Sequence, residues 1–186
     1  MADYGLLAKQ IVSLAEVDAH WLPVLSNAAA LLWDALDDIN WAGFYLVDSS
    51  TVVEPGLNPG LESATQSGLE PGLESGLEPS LPELRLGPFQ GKVACVRIPF
   101  GRGVCGTAAA TKTSQLVEDV HQFPGHIACD SASNSEVVVP IFKGEQVVGV
   151  LDIDSPSVAR FTQEDLTGLE QVVKTLESCA NFSDFC

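Results

Sequence analysis

Apolar positions recur at helical spacing through the first part of the chain. Leu7, Ile11, Leu14 and Val17 fall on one face of a helix within a stretch from about Leu6 to Leu36. His20 to Pro23 interrupt the pattern, so two helices are predicted rather than one. Asn40-Trp41-Ala42-Gly43-Phe44-Tyr45-Leu46-Val47 follows, short and rich in aromatic and apolar residues, and reads as a buried strand.

Strand-like sequence resumes at Leu84 to Phe89 and continues into Ala94 to Pro99. Gly101-Arg102-Gly103-Val104-Cys105-Gly106 turns the chain into a short Ala-rich helix, Thr107 to Ala110, and Ser114 to Val120 reads as another strand. Apolar runs Glu136 to Phe142 and Gln146 to Ile153 flank Lys143-Gly144-Glu145, which signals a hairpin. Thr162, with Asp165 three residues on, resembles a capping box that opens a helix through Leu166, Leu169, Val172, Val173 and Leu176. Together these elements predict an α+β fold, an antiparallel sheet with helices packed on one face.

Between Val53 and Glu83 the pattern dissolves. Glu54-Pro55-Gly56-Leu57, Glu70-Pro71-Gly72-Leu73 and Glu78-Pro79 recur imperfectly, with Ser and Gly between them. Pro and Gly interrupt any ladder, and isolated leucines have no period that builds a core. Residues 53–83 are therefore expected to be a flexible, acidic insertion in a hairpin, a loop expansion the fold tolerates.

Charge narrows the function. At 186 residues and 46% hydrophobic, the chain suffices for one compact domain, and its formal net charge is -16. Phosphate recognition needs clustered Lys and Arg, so nucleic acid and anionic membranes are not expected partners. No apolar run reaches the roughly 20 residues of a membrane span, and no secretory signal opens the chain. A cytoplasmic, reducing compartment is expected, where 5 cysteines suggest catalysis, metal binding or free thiols rather than a disulfide scaffold.

Cys129 carries the chemical interest. It sits among small and polar residues in His126-Ile127-Ala128-Cys129-Asp130-Ser131, after the turn Phe123-Pro124-Gly125 and before an apolar strand. Structural cysteines usually lie in aliphatic surroundings. Paired metal ligands are absent, since there is no Cys-x-x-Cys or His-x-x-x-His, and no bound metal is expected. His126 lies close to Cys129, but no third group completes a hydrolase arrangement. Redox chemistry fits better: an accessible thiolate attacks an oxidised substrate, becomes a sulfenic acid and condenses with a second thiol. Cys95 alone reads as a core strand residue. Cys105 stands at a predicted helix N-terminus, where backbone dipoles favour thiolate, and local physics makes it as good a nucleophile as Cys129. Asp152 and Asp154 alternate with Ile153 and share one strand face, while Glu136 opens the other arm of the hairpin. Three crowded carboxylates would hold an ammonium and raise a carboxyl pKa for proton donation.

These blocks resemble a known family. Asn40 to Tyr45, Leu86 to Lys92, Cys95 to Pro99, Gly101 to Gly106, Phe123 to Asp130 and Val150-Leu151-Asp152-Ile153-Asp154-Ser155-Pro156 are similar to free methionine-R-sulfoxide reductases, GAF-domain proteins that act on the free amino acid. The resemblance implies a GAF-like domain over 1–186, with a loop-covered pocket on the sheet face opposite the helices. It implies that Cys129 attacks the sulfoxide sulfur, that Cys95 resolves the sulfenic acid as a disulfide, and that Cys105 is an auxiliary or alternative resolving thiol. Glu136, Asp152 and Asp154 match acidic positions that bind the substrate ammonium and protonate the oxygen; Trp41 and Tyr45 would wall the S-methyl group. It further implies free methionine-R-sulfoxide as substrate, no bound cofactor, a thioredoxin-type reductant and a homodimer. Cys179 and Cys186 match no active-site position. The rival readings are a GAF module that binds a small ligand without turnover, and a thiol switch that only senses oxidant.

Overall fold

The computed structural model describes residues 2–48, 82–125 and 132–183. Helices α1 (Tyr4–Val17) and α2 (Trp21–Ala35) open the chain, and the sheet contains β1 (Trp41–Val47), β2 (Glu83–Gly91), β3 (Arg97–Pro99), β4 (Gln115–Val117), β5 (Ser135–Lys143) and β6 (Gln146–Ser155). Helix α3 (Gly103–Thr111) lies between β3 and β4, and α4 (Gln163–Cys179) closes the fold. The six strands run in the order β3-β2-β1-β6-β5-β4, and every pairing is antiparallel.

Local chemistry explains the boundaries. His20 caps α2, its Nδ1 accepting from the Leu22 amide at 3.2 Å, and Pro23 sits in the first turn, where a missing amide costs least. The Thr162–Asp165 capping box forms as expected: Thr162 accepts from the Asp165 amide while the Asp165 carboxylate accepts from the Thr162 amide at 2.9 Å. Gly144, at φ +62°, makes the turn between β5 and β6. Gly87 and Pro88 fall at the bulge in β2, where the partners step from Gly43↔Phe89 to Tyr45↔Leu86. A bulge suits a residue with no amide to give to the ladder.

Strand periodicity divides the core into two layers. Ala42, Phe44 and Leu46 of β1 point with Val137, Val139 and Ile141 of β5 toward α1, α2 and α4. Trp41, Tyr45, Val138 and Val150 point to the opposite face, beneath α3. Tyr4 fastens α1 to α4: its hydroxyl donates to Asp165 Oδ1 at 2.6 Å, and its ring covers Gly168, where a Cβ would come within 2.1 Å.

Three element expectations are corrected. The helix predicted from Thr107 begins at Gly103: the Arg102 amide closes a turn on the Pro99 carbonyl, Gly103 at φ +62° redirects the chain, and the Gly106 amide already bonds the Arg102 carbonyl. Ala94 to Val96 do not extend β3, and Val96 stays exposed with no core to bury it. The strand expected over Ser114 to Val120 is confined to β4; Asp119 accepts from the His121 amide at 3.0 Å and turns the chain into a short 3-10 helix, Val120–Gln122. Residues 53–83 were expected to form a flexible insertion; 53–81 lie outside the described residues. The ends of that segment are tied together. Val47 pairs with Leu84, the Asp48 amide donates to the Glu83 carbonyl at 2.9 Å, and the buried Asp48 carboxylate accepts from Arg85 and, at 3.0 Å, from Arg97.

Candidate functional site

Cross-strand register assembles the site. Gly43 of β1 lies opposite Asp152 of β6, Trp41 lies opposite Asp154, and Glu136 of β5 lies opposite Asp154 on the other side. Alternate residues share a face, so Trp41, Tyr45, Glu136, Asp152 and Asp154 all face the side covered by α3. Asp154 is half-buried, whereas Glu136 and Asp152 are buried.

Helix α3 brings Cys105 down onto these carboxylates. Its thiol is a long-range donor to Glu136 Oε1, with sulfur and oxygen 3.7 Å apart. Gly106 permits this approach: a Cβ there would come within 2.3 Å of the Pro99 carbonyl oxygen. Burial raises the Glu136 pKa well above the ordinary carboxylate range, and the negative charges of Asp152 and Asp154 raise it further. Burial pushes Asp152 up to about 6, opposed by hydrogen bonds from Cys105 and Glu136. The hydrogen bond between the two carboxyls favours the proton on Glu136. Near neutral pH the pair is therefore an acid beside a carboxylate. Asp152 Oδ1 is buried with no hydrogen-bond partner among the described residues, and so is Trp41 Nε1. One is an acceptor and one a donor, so a polar ligand that reached them would satisfy both.

An aromatic wall stands beside the acids. Trp41 stacks on Tyr45 at 5.6 Å between ring centres and on Phe89 at 5.3 Å. Gly43 makes the room for this stack, since a Cβ would lie 2.3 Å from Phe89 Cβ and 2.7 Å from Trp41 Cη2. Burial and the Asp152 charge raise the Tyr45 pKa, so its phenol stays protonated. Phe89 and Gly43 were not anticipated as site residues. A glycine within a run of strand formers was the available signal, because such a glycine marks close approach of neighbouring groups.

The thiols separate. Cys105 is buried, and its pKa is raised well above 9, first by desolvation and then by the charges of Asp152 and Glu136. The expected lowering at the start of α3 is overridden. A helix terminus contributes about 0.3–1 kcal/mol, whereas full burial shifts a thiol by up to roughly 3–5 pKa steps. Cys105 in this structure is a neutral thiol. Cys95, half-buried after β2, is held in a disulfide. Cys179 is a free thiol near the end of α4. Cys129 and Cys186 lie outside the described residues.

A sheet flanked by helices on one face, with a small buried polar site beneath a short helix on the other, is the arrangement of a GAF domain. The GAF domain family model matches residues 22–179. The chain is 45% identical over 182 residues to the free methionine-R-sulfoxide reductase of Escherichia coli, covering 98% of this chain and 91% of that protein. The Saccharomyces cerevisiae enzyme of the same name is 42% identical, over 89% of this chain and 79% of its own. The structure of fRMsr of Staphylococcus aureus in complex with substrate superposes with a TM-score of 0.75 at 45% identity, covering 97% of each chain. The chain belongs to the free methionine-R-sulfoxide reductase family of GAF-domain proteins.

Proposed function

We propose that this protein reduces free L-methionine-R-sulfoxide to methionine, in the cytoplasm, with electrons from a thioredoxin-type dithiol and no bound cofactor. The observation that carries the proposal is the Glu136–Asp152 pair, a buried acid beside a buried carboxylate with an unpartnered oxygen, next to the Trp41–Phe89–Tyr45 wall. A small zwitterion with an apolar S-methyl group and a basic sulfoxide oxygen complements each part. Asp152, helped by Asp154, binds the ammonium; the aromatic rings receive the methyl group; Glu136 protonates the sulfoxide oxygen. A peptide-bound sulfoxide offers an amide in place of the ammonium, leaving Asp152 a buried charge without a counter-ion.

In the proposed chemistry the Cys129 thiolate attacks the sulfoxide sulfur. The S–O bond and the transient bond between Cys129 and that sulfur break as the oxygen, carrying the proton from Glu136, passes to Cys129, giving methionine and a sulfenic acid. The Cys95 thiolate then attacks the Cys129 sulfur, forming a disulfide and releasing water. The external dithiol reduces that disulfide and becomes a disulfide itself, so two electrons enter per turnover. The raised pKa of Cys105 supports an auxiliary rather than a leading part for that thiol. We further infer a homodimer from the family.

The test is NADPH consumption in a thioredoxin-coupled assay with the free R epimer, the free S epimer and an N-acetylated sulfoxide. Turnover of the free R form alone, lost in Cys129→Ser, is expected. Turnover persisting in Cys129→Ser would remove Cys129 as nucleophile. Absence of turnover with every substrate would leave a ligand-binding or oxidant-sensing domain.

A further inference from the structure

Positive charge is unevenly placed in this chain. Residues 84–117 hold Arg85, Lys92, Arg97, Arg102 and Lys112, five of the 9 basic residues, and no Asp or Glu, although the formal net charge is -16. The fold gathers most of this segment at one border. Strand β3 ends the sheet, β2 lies beside it, and α3 starts shortly after β3. Arg85 is in register with Arg97, and both guanidiniums reach the buried Asp48 carboxylate; Arg97 also meets Glu83 at 3.0 Å. These acids fix the two arginines in place while leaving about half of each side chain exposed. Lys92 and Arg102 add two exposed positive charges in a segment that has no acid of its own.

The connection between β2 and β3 puts a redox group inside this border. The Val96 carbonyl accepts from the Leu86 amide at 3.0 Å, which pins the connection to the sheet. Cys95, held in a disulfide, is half-buried against the core layer on the site face. Its neighbours Val93 and Val96 are 88% and 67% exposed. An apolar centre within a charged rim is the anatomy of a protein interface.

We propose that Arg85, Lys92, Val93, Val96, Arg97 and Arg102 form the docking surface for an acidic protein dithiol that reduces the disulfide at Cys95. The strongly negative remainder of the chain repels an acidic partner, so such a partner is steered to this border. That the partner is a dithiol rests on the proposed function; its acidity and its place of docking come from the charge of the border. One partner thiolate attacks the Cys95 sulfur, forming a mixed disulfide as the original disulfide breaks and the released cysteine takes a proton. The partner's second thiol gives up its proton and attacks the partner's own sulfur in that mixed disulfide, and Cys95 leaves and is protonated. Two electrons pass to this protein, and the partner departs as a disulfide.

The experiment measures the second-order rate of disulfide reduction in the full-length oxidised protein, by rapid quenching and thiol labelling, with an acidic thioredoxin or with dithiothreitol. Arg85 and Arg97 are left intact because they bind Asp48. Lys92→Glu/Arg102→Glu should slow reduction by thioredoxin about tenfold at low salt and by less than about twofold in roughly 0.5 M salt, where screening shortens the reach of charge. Val93→Ser/Val96→Ser should slow it at both salt concentrations, and neither variant should alter the rate with dithiothreitol. An unchanged thioredoxin rate in Lys92→Glu/Arg102→Glu, a loss that does not depend on salt, or an equal loss with dithiothreitol overturns the proposal. Sulfoxide turnover driven by dithiothreitol, with no reduction of wild type by thioredoxin, would keep the reductase and remove the docking surface. Charge-dependent reduction by thioredoxin without sulfoxide turnover would keep the surface and remove the reductase.

Discussion

Replacing Asp152 with Asn should stabilise the ligand-free protein at alkaline pH while sharply lowering its activity. In the fold, burial holds the Asp152 carboxyl at about 6 against an ordinary value of 3.8. At 1.36 kcal/mol per tenfold change in proton affinity, that difference amounts to about 3 kcal/mol. The folded-state pKa of this acid is raised, so between about pH 4 and pH 6 the native protein keeps a proton that the unfolded chain has lost. Stability therefore falls as pH rises through that window and stays at the lower level above it. Asparagine carries no charge to desolvate, so the variant should lack this component. Urea unfolding of both proteins at pH 4, 6 and 8 measures it. Near-equal stability is expected at pH 4, with Asp152→Asn ahead by up to about 3 kcal/mol at pH 8. Removing the ammonium's counter-charge should lower kcat/KM roughly a hundredfold or more, since losing one partner of a buried charge pair costs about 2–5 kcal/mol. A variant less stable than wild type at pH 8, or a difference that does not change with pH, would refute the argument that this carboxylate is held against its solvation.

Tyr4→Phe deletes the buried hydrogen bond to Asp165 and should cost about 1–2 kcal/mol in urea unfolding. The Asp165 pKa is lowered despite desolvation, by bonds from Tyr4 and Thr162 and the charge of Arg160, so its contribution is present above the unfolded pKa and lost as pH falls. Tyr4→Phe should accordingly lose less stability on acidification than wild type. Gly43→Ala sets a methyl against Phe89 and Trp41, and should cost about 1–3 kcal/mol and raise KM by displacing the aromatic wall. Joining Asp48 to Pro82 through Asn-Gly should leave the melting temperature and turnover near wild type, because the strand ends and the Asp48 ion pairs remain.

The sheet was legible because its strands are apolar runs of the right length, bounded by Gly, Pro and charged turns. Both layers of core follow from alternation within Trp41 to Val47 and Val150 to Asp154. The acids were legible too, since Asp152 and Asp154 must share a face and hairpin geometry brings Glu136 beside them. What local pattern could not provide was the depth of Cys105. Its neighbours spell a helix start, and nothing nearby says that this helix rests on two carboxylates donated by strands 31 and 47 residues later. The short reach of β4 was hidden for a similar reason. Asp119 bonds its own backbone, a local alternative that competes with the ladder after Val117.

The tied neck between β1 and β2 has a consequence for how this molecule can diverge. Asp48, held by Arg85 and Arg97 where Val47 meets Leu84, closes the sheet before residue 49 and reopens it only after residue 81. Closing a flexible loop becomes harder only with the logarithm of its length, about 0.6 kcal/mol for each doubling. Repeat copies of the Glu-Pro-Gly-Leu type can therefore be gained or lost there by replication slippage with little effect on the native state. The ion pairs of Asp48 with Arg85 and Arg97 make chain length at this point nearly neutral to selection on folding. Orthologues should differ more in the number of repeats than in any of these three residues.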